Sequence, residues 1–567
     1  MALRQFYSQF LRKYSTDSLI LASSAVFVTI ITLLHYALRV VTFPRPKTAP
    51  NGLKIPPLVP YFLPLLGNLP WQYFWDPVKL LSTSKYYART PHPLRLRLLT
   101  TPLHLILGPQ NILSLLGHTS TANRTFKDLF LRSALRMSPG AISRFASPTE
   151  RVPPYHKPKN SLVNPPLYAW SSVYIQDFMS GRSAADLSRR FESNLFARVE
   201  TRRQFMTAEG FVVGDFLDFF VEEVLGAFLE ALCGRGLLGV NPRFLGDFWT
   251  FCSSVPTFMK GVPRWWDREA YRAQEDVIQA VGRWQEWAWQ NSGGAGVGGQ
   301  VGFGGEERSD GGDAFWGSRF FRERYEWFVR ELGFSPRDNA SMETGFLFGA
   351  TTNVTYATYW TALEVYKDPD LLSVVRKEVH SCREDSENGD LSFNMARLLQ
   401  QPHLQAVWAE CLRLRCHNLF TREAVDDLSI GDWLIPKNKL VVAWSTPGHT
   451  DPEIWCGGSN STAPPVHVFW PGRFLKPTED GKLVRFSLAG SDGYWLPFGS
   501  GAYNCPGRHF AKVYSMLTVA MMVETFDIDI AAGSESLGID MKKYGMGVLG
   551  PNKKVAARVR DMRHSLK

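Results

Sequence analysis

FGSGAYNCPGRHFA, residues Phe498 to Ala511, is the stretch on which the reading of this chain turns. Two glycines precede a lone cysteine, Pro506 and Gly507 follow at once, and helical apolar spacing resumes from Phe510 to Phe526. Phe498, Gly499, Gly501, Cys505 and Gly507 satisfy F-G-x-G-x-x-x-C-x-G without a gap. Glycines let a loop pass close to a flat ligand and enter turns closed to other residues. A thiolate at the N-terminal end of a helix is stabilised by the helix dipole and by free backbone N–H groups. The pattern suits a cysteine that serves as a thiolate ligand; a buried structural cysteine in a glycine turn is the plainer alternative.

The surrounding chain has room for a large core: 567 residues, 45% hydrophobic and 13% aromatic. Its net charge of +10 comes from dispersed basic residues with no nucleic-acid motif. That balance favours an anionic membrane or an acidic partner protein over nucleic acid. The cysteines Cys233, Cys252, Cys382, Cys411, Cys416, Cys456 and Cys505 are odd in number and show no paired spacing, which argues against a disulfide framework and for a reducing compartment. Leu19 to Leu38 contains no Asp, Glu, Lys or Arg and is long enough as a helix to cross a bilayer. Residues 1–18 read as its N-terminal flank, 39–70 as a proline-rich, non-helical hinge, and 71–567 as one large, mainly helical body. Basic residues after the span favour a cytosolic body. Within the body, 292–317 is a glycine-rich insertion; Gly294, Gly296 and Gly299 formally fit GxGxxG, but no strand precedes them, so a surface loop is expected. Ala184–Thr201, Phe216–Gly234, Phe346–Lys367 and Pro402–Arg415 carry helical spacing, and Lys439–Trp444 reads as a strand.

Upstream of the cysteine, Glu410 and Arg413 stand at i and i+3 on one helix face and can pair. FWPGRFL follows, and its Arg473 could join them in a three-member buried network. Taken with these features, the needs of the Cys505 loop are those of an axial thiolate on haem iron, where sulfur pushes electron density toward O–O cleavage. E-x-x-R, then F-x-P-x-R-F (Phe469 to Phe474), then the cysteine loop occur in the order and spacing of the cytochrome P450 superfamily, which the chain resembles closely. HTDPEIW (His449 to Trp455) and IPKNKLVVAW are also similar to that family's connecting segments. The resemblance implies a mainly α P450 fold with a small β-rich subdomain and an N-terminal transmembrane helix. It implies that Cys505 ligates the iron of haem b, within a loop formed by Phe498, Gly499, Gly501 and Gly507. It also implies that Glu410, Arg413 and Arg473 lock the core behind the haem, and that Ser133–Asn164 and Phe251–Trp266 face the substrate.

Two positions depart from the family pattern. Where the family places Arg or His to hold a haem propionate, this chain has Tyr503, which donates a hydrogen bond but carries no positive charge. In the distal helix the family uses [AG]-G-x-[DE]-T to deliver protons to dioxygen. Counting back from Asp368-Pro369 sets Gly349, Ala350, Thr351, Thr352 and Asn353 on those positions. A register shifted by one makes Thr352 the threonine and Thr351 the acid replacement, and neither register supplies a carboxylate. Asn353 and Thr352 are the candidate catalytic residues, with a simple helix-kink role for Asn353 as the alternative. FGATTNVTYATYW is similar to the same segment in the sterol 7α- and 12α-hydroxylases and prostacyclin synthase. The reading is a monooxygenase of the endoplasmic reticulum membrane acting on a hydrophobic small molecule such as a sterol or terpenoid, with electrons from NADPH-cytochrome P450 reductase. A P450 isomerase or dehydratase using a pre-formed peroxide, and a non-catalytic haem protein, are the competing readings.

Overall fold

Prolines and small polar residues set the helix boundaries of this chain. The computed structural model describes residues 16–42, 47–61, 67–68, 92–98, 101–118, 121–149, 166–292, 312–385, 391–457, 463–479, 481, 483–501, 504–531 and 536–565. Its principal elements run, in chain order, α1 (Thr16–Thr42), β1 (Leu94–Leu98), β2 (Thr101–Leu105), α2 (Phe244–Met259), α3 (Arg268–Asn291), α4 (Pro336–Lys367), α5 (Pro369–His380), α6 (Pro402–Arg415), β3 (Cys416–Ala424), β4 (Leu440–Trp444), α7 (Arg508–Thr525), β5 (Phe526–Ile530), β6 (Met546–Val548) and β7 (Ala557–Asp561). The chain divides into two compact units, residues 1–123 with 420–443, and residues 124–419 with 444–567.

The first unit holds α1, whose window Leu21–Leu38 has a mean hydropathy of 1.8 and no buried residue. By length and composition this helix can cross a membrane. The hydroxyls of Thr29 and Thr32 donate to the carbonyls of Ala25 and Val28 at 2.8 Å, so their polar atoms are satisfied within the helix. In β1 the alternation L-R-L-R-L buries Leu94 and Leu96 and turns Arg95 and Arg97 to the other face. β1 pairs antiparallel with β2, and residues 440–442 of β4 pair parallel with it. The far end of the proline-rich hinge is part of this unit's body: Val59 donates to Arg95, and Arg95 back to Pro57.

The second unit is built around α4. Ser335 caps it by accepting from the Asp338 N–H, Pro336 fills the first turn, and Asp338 and Lys367 complement the dipole at its two ends. Asp368 ends it and caps α5, accepting from Asp370 and Leu371. Helices α3, α5, α6 and α7 pack on α4. Trp249 and Phe251 of α2 meet Tyr356 and Phe348 with ring centroids 5.0 and 6.3 Å apart. The indole of Trp360 is fully buried and donates to the Leu549 carbonyl at 2.8 Å. β6 pairs antiparallel with the start of β3, and β5 with β7.

Sequence periodicity located α6 at its observed bounds but saw only the C-terminal two thirds of α4, and it passed over α3. The segment Phe216–Gly234 is not one regular helix. A π-helical stretch, Phe220–Leu225, interrupts it, and Gly234 leaves helical geometry at φ 70°. Of the glycine-rich insertion, residues 293–311 lie outside the described residues. Its far end is packed rather than a surface loop: Gly312–Asp313 pairs with Gly317–Ser318, and Trp316 is fully buried.

Candidate active site

Gly499 and Gly501 sit at φ +73° and +64°, in the left-handed region that glycine enters without cost. Those two turns bring the chain round so that the Cys505 N–H donates to the Phe498 carbonyl at 2.9 Å. The Phe498 ring stacks on Trp408 of α6 at 5.8 Å and meets Trp495 edge-on. Gly507 differs from the other two: its φ is −82°, and a Cβ there would make only ordinary contacts with Met179 and the Cys505 sulfur. Tyr503 lies outside the described residues.

Cys505 is half-buried just ahead of α7. Burial pushes its thiol up, while the Gly507 N–H aimed at the sulfur and the Arg508 guanidinium pull it down. Arg508 also donates to the Cys505 carbonyl at 3.1 Å. The other buried thiols have their own settings; Cys252, for example, is pushed up to about 12 by burial. Among the described residues no three His, Cys, Asp or Glu side chains gather as a metal site. A metal held by protein alone would need several such ligands. One thiolate on a glycine loop therefore fits a metal whose remaining ligands come from a macrocycle, and Cys505 is the residue that could hold it.

Behind the loop, Glu410 on α6 is fully buried and accepts from Arg413 Nε at 2.7 Å and Nη2 at 2.8 Å, from the Trp470 N–H at 3.1 Å, and from Arg473 Nε at 3.2 Å. One carboxylate faces two guanidiniums, so a positive charge is left over. Backbone carbonyls take it up: His449 and Val466 accept from Arg413, and Trp455, Pro464, Pro465 and Val468 from Arg473.

His449 connects this network to the cysteine loop, a role that sequence reading missed. Its Nε2 accepts from the Leu496 N–H at 3.0 Å, which leaves Nδ1 as the protonated nitrogen, donating to the Cys416 carbonyl at 3.0 Å. Burial lowers this imidazole to about 3, so it is neutral. Asn418 adds a second tie by donating to the carbonyls of Leu496 and Pro497. The only sequence signal for His449 was its place at the head of HTDPEIW.

α4 crosses α7 at Thr355–Tyr514 and Thr358–Ser515, with oxygens 3.4 and 2.8 Å apart. N-terminal to that crossing, the less buried residues are Gly345, Phe346, Phe348, Gly349, Ala350 and Asn353, and four of them, Phe346, Gly349, Ala350 and Asn353, follow the i, i+3, i+4, i+7 spacing of one face. A Cβ on Gly349 would meet nothing within 4 Å. Asn353 thus stands on the open face of the helix. Thr352 lies on the next face, 7% exposed, beside the Cys252 thiol. Thr344, Thr351, Thr355, Thr358 and Thr361 all donate to the carbonyl four residues earlier, whereas Thr352 Oγ1 makes no such bond and has the Cys252 thiol as its polar neighbour. The two candidate distal residues are therefore not equivalent.

The cytochrome P450 family model matches residues 249–557. The chain is similar to Cytochrome P450 monooxygenase efuG of Hormonema carpetanum, 27% identical over 90% of each chain. It is also similar to Cytochrome P450 monooxygenase fsoE of Humicola fuscoatra, 28% identical over 91% of this chain and 89% of that one. Cytochrome P450 7A1 of Oryctolagus cuniculus is 26% identical over 38% of this chain and 44% of its own.

Proposed function

The chain belongs to the cytochrome P450 family and is a P450 monooxygenase, and from that premise we propose that it is membrane-anchored and oxidises a hydrophobic small molecule, a sterol, terpenoid or related specialised metabolite. Haem b, held through Cys505, would supply the activation of dioxygen and the insertion of one oxygen atom into the substrate. The observation that carries the proposal is the thiol of Cys505 on a loop turned by Gly499 and Gly501, just ahead of α7.

In this reading each group has a task. Cys505 would hold the haem iron through its sulfur, and the Gly507 N–H would moderate the charge there. Glu410, Arg413 and Arg473 hold α6 rigid behind the loop, and His449 transmits that rigidity to Leu496. Asn353 is the polar group on the open face of α4, with Phe346 and Ala350 beside it excluding water and favouring an apolar substrate. Arg508 and Lys512, at the start of α7, give the cysteine side a basic character suited to an acidic reductase surface such as that of NADPH-cytochrome P450 reductase. α1 would anchor the protein in the endoplasmic reticulum membrane.

The relatives matched over nine tenths of the chain are named monooxygenases, which supports oxygen insertion over rearrangement of a peroxide. The test is product formation from a panel of sterols and terpenoids by the full-length protein in membranes with reductase. Product that requires NADPH, dioxygen and reductase together supports the reading. Product that forms from a peroxide substrate without NADPH overturns it.

A further inference from the structure

We propose that Gly547 and the Val548 amide are a positioning device that fixes Asn353 as a hydrogen-bond donor toward the open face of α4. The proposal rests on the reading that this face looks onto the haem held by Cys505. It gives a role to the C-terminal strand β6, which no sequence motif marked.

The Val548 N–H points at Asn353 Oδ1 at 2.9 Å. A backbone N–H can be accepted only by the carbonyl end of an amide, so the Asn353 side chain has one orientation. Its oxygen is engaged by β6, and Nδ2 makes no hydrogen bond among the described residues. Asn353 is half-buried on the same face as Gly349 and Ala350, so its NH2 group is the free polar end of that face. Gly547 makes the approach of β6 feasible. It has φ +100°, and a Cβ there would lie 2.3 Å from Asn353 Oδ1 and 3.0 Å from Nδ2.

The strand is pinned independently on both sides. Cys416 and Asn418 of β3 pair with Val548 and Met546, and the Leu549 N–H donates to the Arg415 carbonyl at 2.8 Å. The Leu549 carbonyl accepts from Trp360, and Gly550 lies so close to Tyr356 that a Cβ would come within 2.4 Å of its ring. Asn353, Tyr356 and Trp360 lie at i, i+3, i+7, so residues 547–550 close the C-terminal continuation of this face from Asn353 onward, while the part before it, at Gly349, stays open. The chemical consequence is specific. A primary amide donates hydrogen bonds but does not release a proton near neutral pH, so Asn353 can stabilise electron density on a ligand oxygen without acting as an acid.

The test uses the full-length enzyme, reduced and loaded with carbon monoxide, and reads the C–O stretch by infrared spectroscopy. A donor at the carbonyl oxygen lowers that frequency. Asn353→Leu should raise it, and Gly547→Ala should raise it in the same direction by displacing Asn353. The double variant should go no further than Asn353→Leu alone, since the two act through one group. If Asn353→Leu leaves the frequency unchanged, the donor assignment is wrong; if only Gly547→Ala leaves it unchanged, the positioning role is wrong. An absorption band in the unsubstituted enzyme that lacks thiolate character would instead defeat the functional reading itself. If Gly547→Ala fails to fold, hydrogen exchange at the Val548 amide still decides: Asn353→Leu should speed it roughly fivefold, the worth of one net hydrogen bond, and an unchanged rate overturns the proposal.

Discussion

Replacing Glu410 by Gln tests the buried network at its most sensitive point. The side chain keeps its shape, but its charge disappears. One amide oxygen can still accept from Arg473, the Trp470 N–H and Arg413 Nη2, as Oε1 does now. The amide nitrogen must then face Arg413 Nε, where Oε2 now accepts at 2.7 Å, so two donors oppose each other. The two guanidiniums, with side chains 0% and 1% exposed, lose the one carboxylate that pairs with them among the described residues and keep the carbonyls around them. Removing one partner of a buried ion pair costs about 3–5 kcal/mol, roughly a hundredfold or more in the folding equilibrium and a large part of a typical domain's stability. The assay is equilibrium urea unfolding followed by tryptophan fluorescence and circular dichroism. Asp128→Asn serves as the comparison, because Asp128 pairs with Arg132 on an exposed helical turn, where the expected cost is about 0.5 kcal/mol or less. A loss below about 1 kcal/mol for Glu410→Gln would refute the argument that this carboxylate offsets buried charge.

Three further outcomes follow from the same geometry. Gly499→Ala and Gly501→Ala should each lose about 1–2 kcal/mol in thermal or urea unfolding because both positions are left-handed, whereas Gly507→Ala should be nearly neutral; equal effects at all three would contradict the turn assignment. Burial holds His449 at about 3 and His417 at about 4, against 6.5 for a free imidazole. Both are neutral in the fold, and the unfolded chain takes up protons first as pH falls, so stability is full above about pH 6.5 and declines below it, each group contributing up to about 1.4 kcal/mol per pH unit. For His417 the decline ends near its folded value; His417→Gln should flatten the dependence between neutral and mildly acid pH, and an unchanged slope would show that this imidazole is not the cause. Deleting residues 1–42 should move the protein from the membrane fraction to the supernatant; a truncated chain still wholly membrane-bound would show that α1 is not its main anchor.

What the sequence revealed and what it concealed divide along physical lines. The Glu410–Arg413 spacing, the proline at the head of α6 and the Asp368-Pro369 break are local signals, and the elements they mark lie where such signals act. α3 was passed over although its apolar positions recur with helical spacing. The N-terminal third of α4 was hidden because Asp338, Asn339, Ser341 and Glu343 are polar yet buried, a placement that depends on tertiary neighbours: Asp338 accepts from Ser138, and Glu343 pairs with Arg324. The carbonyl cage around Arg413 and Arg473, the His449 bridge and the Val548–Asn353 contact join residues far apart in the chain. No periodicity or spacing encodes such contacts. Which of Asn353 and Thr352 lies on the less buried face of α4 is set by packing, which spacing does not encode.

The most direct test of the account is the absorption spectrum of the reduced, carbon-monoxide-bound protein, taken for the unsubstituted chain, Cys505→Ala and Cys416→Ala. The thiolate-shifted main haem band should be present in the unsubstituted protein, absent in Cys505→Ala and retained in Cys416→Ala. A shifted band that persists in Cys505→Ala would contradict the assignment of Cys505 as the ligand.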